Sequence, residues 1–232
     1  MGDHDQRRVY YDHEPTYRRI AAKGGRSWDD MKDVPDTDAF DSLREFLASR
    51  FAPPVGTRAL EVGCGGGQAT LELAKRGYVA SGVDFAETAI ELAKQNALAA
   101  QLKANFQVDD CLFLRTKQDG SFGLVIDNHA FHCIVSPDHR RAFLAQVARV
   151  LAPGGVFFTE TMSCGEGWDA VIVRADPSTR VALNGGRFWV TEHEFDAELA
   201  SAGFELVHRH TRAQPPKDVP AGPMLVRYVR RK

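Results

Sequence analysis

Apolar positions along the chain follow two rhythms. Short, mostly apolar runs fall at 58–62, 78–83, 104–108, 122–127 and 155–160. Their length suits strands rather than helices, and consecutive apolar residues suit strands buried on both faces. Between them apolar residues recur at helical spacing over 67–76, 86–101 and 138–151. The last of these carries start signals, with Ser136 at the N-cap position and Pro137 at the first helical position. Such alternation predicts a parallel sheet with helices on both faces. Upstream, Phe40, Leu43, Phe46, Leu47 and Phe51 predict a helix over 36–51 that Pro53-Pro54 stops. A shorter helix is expected over 14–23, closed by Gly24-Gly25. Residues 162–190 show little period and read as a cap or long loop. Thr191-Glu192-His193-Glu194 then fits a capping box, opening a helix to Ala202 that Gly203 closes. Strands over 204–210 and 223–230 follow, with Pro215-Pro216 and Gly222-Pro223 between them.

The length of 232 residues fits one domain with an elaboration. Residues 1–36, polar and aromatic, read as an N-terminal arm or lid, and 37–232 as the main domain, with 162–190 as its cap. The formal net charge is −2 without a broad basic stripe, which argues against a nucleic-acid partner. The basic tail Arg227-Tyr228-Val229-Arg230-Arg231-Lys232 reads as a solvated terminus. Cysteines stand at 64, 111, 133 and 164, a spacing that matches no zinc pattern, so no metal is expected. The start is polar and no apolar run reaches membrane-spanning length, so a cytoplasmic protein with reduced thiols is expected.

The run Ala59-Leu60-Glu61-Val62-Gly63-Cys64-Gly65-Gly66-Gly67 carries the chemistry. A strand end meets an acid, then a glycine turn, then a helix start. Glycine lets a ligand approach the backbone, and the helix start presents unpaired N–H groups. That is a cradle for a nucleotide-like cofactor at a strand's C-terminal end. Asp84 ends the second strand, 21 positions after Gly63, where a carboxylate can accept from a ribose diol. The dinucleotide pattern G-x-G-x-x-G is not met, because position 68 is Gln68. The spacing Glu61-x-Gly63-x-Gly65-x-Gly67 resembles instead the first motif of class I S-adenosylmethionine-dependent methyltransferases, E/D-x-G-x-G-x-G. The resemblance extends over roughly 40–210. It takes in Asp84, the pair Asp109-Asp110, and Leu151-Ala152-Pro153-Gly154-Gly155. Several small-molecule members carry Leu-His-His after the fourth strand; here the run is Phe131-His132-Cys133.

The resemblance implies a Rossmann-like, doubly wound α/β sheet of seven strands, mostly parallel with the last antiparallel. It implies S-adenosylmethionine as cofactor and methyl transfer to an oxygen, nitrogen or sulfur of a small-molecule acceptor. Gly63 and Gly65 would face the methionine part of the cofactor, and Glu61 its ammonium. Asp84 would take the ribose, and Phe85 the adenine face or a place in the core. Asp110, with Asp109 as the competing choice, would accept from the adenine amino group, and the Cys111 N–H would reach the ring. Asp127, Asn128 and His129 would lie near the methyl group. His132 and His129 are the candidate bases, since histidine titrates near neutrality. Tyr10, Tyr11 and Trp28 are candidate lid aromatics, or rings that only pin the arm. Arg174, Arg180 and Arg187 either bind an acidic acceptor group or form a solvated rim. Cys133 and Cys164, thiols on the acceptor side, either hold a soft metalloid or serve as small buried hydrophobes. The rival readings are a nucleic-acid or protein methyltransferase, which 127–130 disfavours for lack of an N/D-P-P-Y/F run, a non-catalytic cofactor-binding protein, and a nicotinamide-dependent dehydrogenase.

Overall fold

Strands β1 (Arg58–Val62), β2 (Val79–Asp84), β3 (Asn105–Val108), β4 (Phe122–Asn128), β5 (Leu151–Met162), β6 (Phe204–Arg212) and β7 (Met224–Arg231) form one sheet. Their order is β3-β2-β1-β4-β5-β7-β6. The first five run parallel, and β7 enters antiparallel between β5 and β6. This is the sheet that the resemblance implies. The computed structural model describes residues 12–31, 40–212 and 222–232.

The mostly apolar strands are explained by two faces, both covered. Val125 and Phe157 point into one core with Phe131, Phe143, Val147 and Phe195. Their neighbours Leu124, Ile126 and Phe158 point into the other, with Leu43, Phe46, Leu73 and Tyr228. Each such side chain removed from water contributes about 1.5–3 kcal/mol. Helices α5 (Pro137–Val150) and α6 (Glu192–Ser201) supply the first core; α2 (Asp41–Ala48) and α3 (Gln68–Lys75) supply the second. Helix α4 (Glu87–Ala99) packs beside β2 and β3, and α1 (Glu14–Ala22) packs on α4. Strand order reverses at β1, between β2 and β4, so a crevice opens at the C-terminal ends of β1 and β4.

Three expectations need correction. Ser136 stands at the N-cap of α5, and its carbonyl accepts from Arg140 N, but its side chain makes no capping bond. Helix α2 ends at Ala48 rather than 51, because the Ser49 hydroxyl bonds back to the Phe46 carbonyl at 2.7 Å and accepts from Phe51 N at 3.2 Å. The basic tail is not a solvated terminus. It is β7, an interior strand, and Arg227 is fully buried on ion pairs to Asp196 (2.5 Å) and Glu192 (2.7 Å) of α6. The capping box of α6 forms as expected. Residues 36–39, Pro215-Pro216, Tyr10 and Tyr11 lie outside the described residues. Among the described residues no helix is long and apolar enough to cross a membrane.

Candidate functional site

The crevice at the switch point is a cleft of about 390 Å³. It is lined by the turn after β1, the end of β2, the turn after β3, the loop after β4, the N-terminal arm and residues of 162–190. Gly63, Gly65 and Gly67 all take left-handed φ, at 69°, 50° and 82°. A Cβ at Gly63 would meet the Ala130 Cβ at 2.5 Å, and one at Gly65 would collide with the Tyr17 hydroxyl. Here glycine is a steric requirement, because the loop after β4 and helix α1 both close on the turn.

Two buried carboxylates face this turn. Glu61 accepts from Thr70 N at 2.7 Å and from the Thr70 hydroxyl, which ties β1 to the first turn of α3. Asp84 accepts from Gly65 N and Ala86 N, each at 2.9 Å. Every one of these partners is uncharged. Burial therefore raises Glu61 to about 8 and Asp84 to about 6, and the bonds offset it only in part. Two carboxylates lacking a hydrogen-bonded cation in one cleft favour a positively charged ligand.

The adenine-side expectations divide. Phe85 and Cys111 line the cleft. Asp109 instead organises its own turn, accepting from Asp110 N, Arg115 N, Thr116 N and the Thr116 hydroxyl. Asp110 accepts from Leu112 N at 2.9 Å and lies outside the lining. Asp127 is fully buried behind the cleft wall. One of its oxygens accepts from Ala130 N and Phe131 N, and the other from the Thr159 hydroxyl. It shapes the loop that presents Asn128, His129 and His132 to the cleft.

His132 is buried, and its Nδ1 has no hydrogen-bond partner. Burial first, then the charges of Arg187 and His129, hold it well below the usual histidine range. The carbonyl of His132 accepts from Phe188 N at 2.9 Å. That bond pins the segment 162–190 to the loop and places Arg187 in the lining. Of the three arginines expected there, Arg180 pairs with Glu194 at 2.7 Å and Arg174 is exposed. Only Arg187 among these three lines the cleft. Cys64 and Cys133 also line it, while Cys164 does not; burial pushes the Cys133 thiol up to about 11.

The arm is docked. Glu14 accepts from the Thr88 hydroxyl at 2.6 Å and Thr88 N at 3.1 Å, both on α4. The Arg26 carbonyl accepts from the Asn96 amide at 3.0 Å. Trp28 meets His13 edge-on at 5.1 Å and Tyr17 at 5.8 Å, and all three line the cleft. Burial, then Arg187, lowers His13 to about 4. Sequence reasoning missed His13, Arg212 and Glu160. For Glu160 a signal exists: it is a lone acid closing the apolar run Val156-Phe157-Phe158-Thr159. Nothing in the pattern marks Arg212. Among the described residues no group of three or more His, Cys, Asp or Glu is placed to hold a metal ion.

Residues 59–155 match the family described as "Methyltransferase domain". The chain is 26% identical over 199 residues to a ubiquinone biosynthesis O-methyltransferase of Xanthomonas axonopodis pv. citri, covering 84% of this chain and 82% of that one. A solved S-adenosylmethionine-dependent methyltransferase of Methanosarcina mazei superposes with a TM-score of 0.67 at 23% identity, over 77% of this chain and 94% of the other. The Burkholderia thailandensis 1,6-didemethyltoxoflavin-N1-methyltransferase, solved with 1,6-didemethyltoxoflavin and S-adenosylhomocysteine, superposes with a TM-score of 0.71 at 18% identity, over 100% and 91%. The two structures share the fold of this chain.

Proposed function

We propose that this chain, a class I S-adenosylmethionine-dependent methyltransferase, moves the methyl group of its cofactor to an oxygen, nitrogen or sulfur of a small-molecule acceptor. One observation carries the reading. The glycine turn, Asp84 and the histidine loop line a single cleft, which the arm and Arg187 wall on the remaining sides. Glu61, Gly63, Gly65, Asp84, Phe85 and Cys111 would hold the cofactor, whose bound form supplies a methyl on a cationic sulfur. Asp110 and Asp127 would serve by setting the turns on either side. Oxygen is the favoured target atom, in keeping with the O-methyltransferase relatives.

The chain's own work is alignment and exclusion of water. Correct alignment of two bound reactants is worth about 7–11 kcal/mol. A general base adds about 10²- to 10⁴-fold. Tyr17, Trp28 and His13 would shut the cleft from the arm side, and an aromatic wall suits a cation. Arg187 stands beside His132 and would meet an acidic group on the acceptor.

The test is direct. Labelled cofactor is incubated with the protein and a fractionated metabolite extract, and the labelled product is identified. Asp84→Ala is expected to weaken S-adenosylhomocysteine binding about tenfold or more, as a charged hydrogen bond is lost. Unchanged affinity by calorimetry contradicts the ribose assignment. Cofactor binding without S-adenosylhomocysteine formation from any acceptor pool contradicts methyl transfer.

A further inference from the structure

We propose that His129 is the base that takes the acceptor's hydroxyl proton, and that Glu160 is the positioning residue that orients and sustains it. The inference rests on reading the cleft as a methyl-transfer site. It names the acceptor class as a hydroxylated small molecule of phenol or enol type, whose proton an imidazole can accept.

His129 follows the last residue of β4 and sits at φ 79°, a conformation that residues with a side chain rarely take. Asp127 enforces it by drawing in Ala130 N at 2.7 Å and Phe131 N at 3.0 Å. The strained residue presents its ring to Glu160 at the end of β5. His129 Nε2 and Glu160 Oε2 are both buried, neither has a hydrogen-bond partner, and they lie 3.7 Å apart. The other Glu160 oxygen accepts a fork from Arg212, with Nε at 3.0 Å and Nη2 at 2.8 Å. One oxygen of the carboxylate is thus clamped and the other is aimed at the imidazole. An approach of about 0.8 Å makes an ordinary hydrogen bond.

That bond fixes the tautomer. With the proton on Nε2 facing Glu160, Nδ1 carries the lone pair. The ring lines the cleft, and its side chain remains 28% exposed. The groups facing it are Glu160 from β5, Arg212 from β6, Asp127 from β4 and His132, whose ring centroid is 5.9 Å away. Arg212 is neutralised by its own pair with Glu160. His132 is the poorer base, since it is buried without a carboxylate beside it among its hydrogen-bond and ion-pair partners.

In the step the acceptor O–H bond breaks, its electron pair stays on oxygen, and the proton goes to Nδ1. The resulting imidazolium faces the Glu160 carboxylate. The oxygen, freed of its proton, would be the nucleophile for the methyl group that the cofactor supplies when bound, with a methyl ether as product, and the proton would leave through the open cleft. No oxidant or reductant is needed.

The test begins with the cofactor-free protein. The tautomer of the neutral His129 imidazole is read from its ring nitrogen NMR shifts, assigned with His129→Ala. The unaltered protein is expected to hold the proton on Nε2. In Glu160→Gln the Arg212 fork keeps the amide oxygen, so the amide N–H faces the ring and the proton is expected to move to Nδ1; Glu160→Asp is expected to restore part of the Nε2–H form. An unchanged tautomer in Glu160→Gln overturns the pairing. In turnover, His129→Ala is expected to lower kcat about 100-fold or more with KM and S-adenosylhomocysteine affinity nearly unchanged. Glu160→Gln is expected to lower kcat about tenfold with KM nearly unchanged, and Glu160→Asp to recover part of the loss. S-adenosylhomocysteine formed at the wild-type rate by His129→Ala overturns the inference alone. S-adenosylhomocysteine formed with amine or thiol acceptors and with no hydroxyl acceptor overturns this inference and leaves methyl transfer standing; its absence with every acceptor pool overturns both.

Discussion

Position 129 is held against its own preference. A left-handed backbone costs a residue with a Cβ about 1–2 kcal/mol, and glycine pays none of it. Comparing His129→Gly with His129→Ala isolates that term, since both lose the imidazole and its contact with Glu160. The glycine variant is expected to be the more stable by about 1 kcal/mol, the reverse of the usual order for these two residues. Urea denaturation reads the difference; an alanine variant equal to or more stable than glycine contradicts strain at this position. Strain of this kind is invisible in sequence, because it is imposed by Asp127 gripping two backbone N–H groups further along. What sequence does mark is the residue at each strand's C-terminal end. Glu61, Asp84 and His129 all reach one cleft for that reason. The same rule nominated Asp127, whose carboxylate turns back into the protein to bond Thr159. A position fixes where the backbone ends and leaves open which way the side chain points.

Helix α1 shows the same division at the level of elements. Its period and its closing glycines are readable, and Thr16, Tyr17 and Ile20 are the buried face. Its docking site is not readable, because that face is small and any apolar neighbour would satisfy it. Two bonds that Thr88 of α4 donates to Glu14 select the partner. They hold Tyr17 over Gly65 and Trp28 at the cleft rim. A charged hydrogen bond of this type is worth about 1.5–3 kcal/mol. Glu14→Ala is therefore expected to loosen the arm, speeding S-adenosylhomocysteine dissociation about tenfold while leaving global stability nearly unchanged. Stopped-flow dissociation with hydrogen exchange across 14–22 measures both. Slow exchange retained in α1 would show that the arm stays docked without Glu14. At the far end of the chain, the basic tail misleads for a related reason. Arg227 looks solvated until Asp196 and Glu192 are seen across the helix face that covers it.

Across the whole molecule the carboxylates of the cleft link ligand, proton and fold. Glu61 is raised by burial from 4.5 to about 8, so without ligand it is protonated at neutral pH. The unfolded chain releases that proton near 4.5. Between the two values the native state holds more protons than the unfolded state, so native stability falls as pH rises through the window. Below pH 6.5 the buried histidines oppose this trend. His13 is lowered to about 4 and His132 is lowered as well, so acid protonates them in the unfolded chain first. Above pH 6.5 this opposition fades as the unfolded chain's histidines lose their protons, and Glu61 dominates toward pH 8. A bound cation stabilises the ionised carboxylate, lowers its pKa and expels the proton. Cofactor affinity is then expected to rise with pH across 6.5–8. Binding at pH 7 should release about one proton or somewhat less, read as the slope of calorimetric enthalpy against buffer ionisation enthalpy. The ligand-free melting temperature should fall over the same interval, and the gain on adding S-adenosylmethionine should grow. S-adenosylhomocysteine, which lacks the cationic sulfur, should release less. If Glu61→Gln shows the same buffer dependence as the unaltered protein, the proton comes from another group and the cleft's preference for a cation loses its physical source.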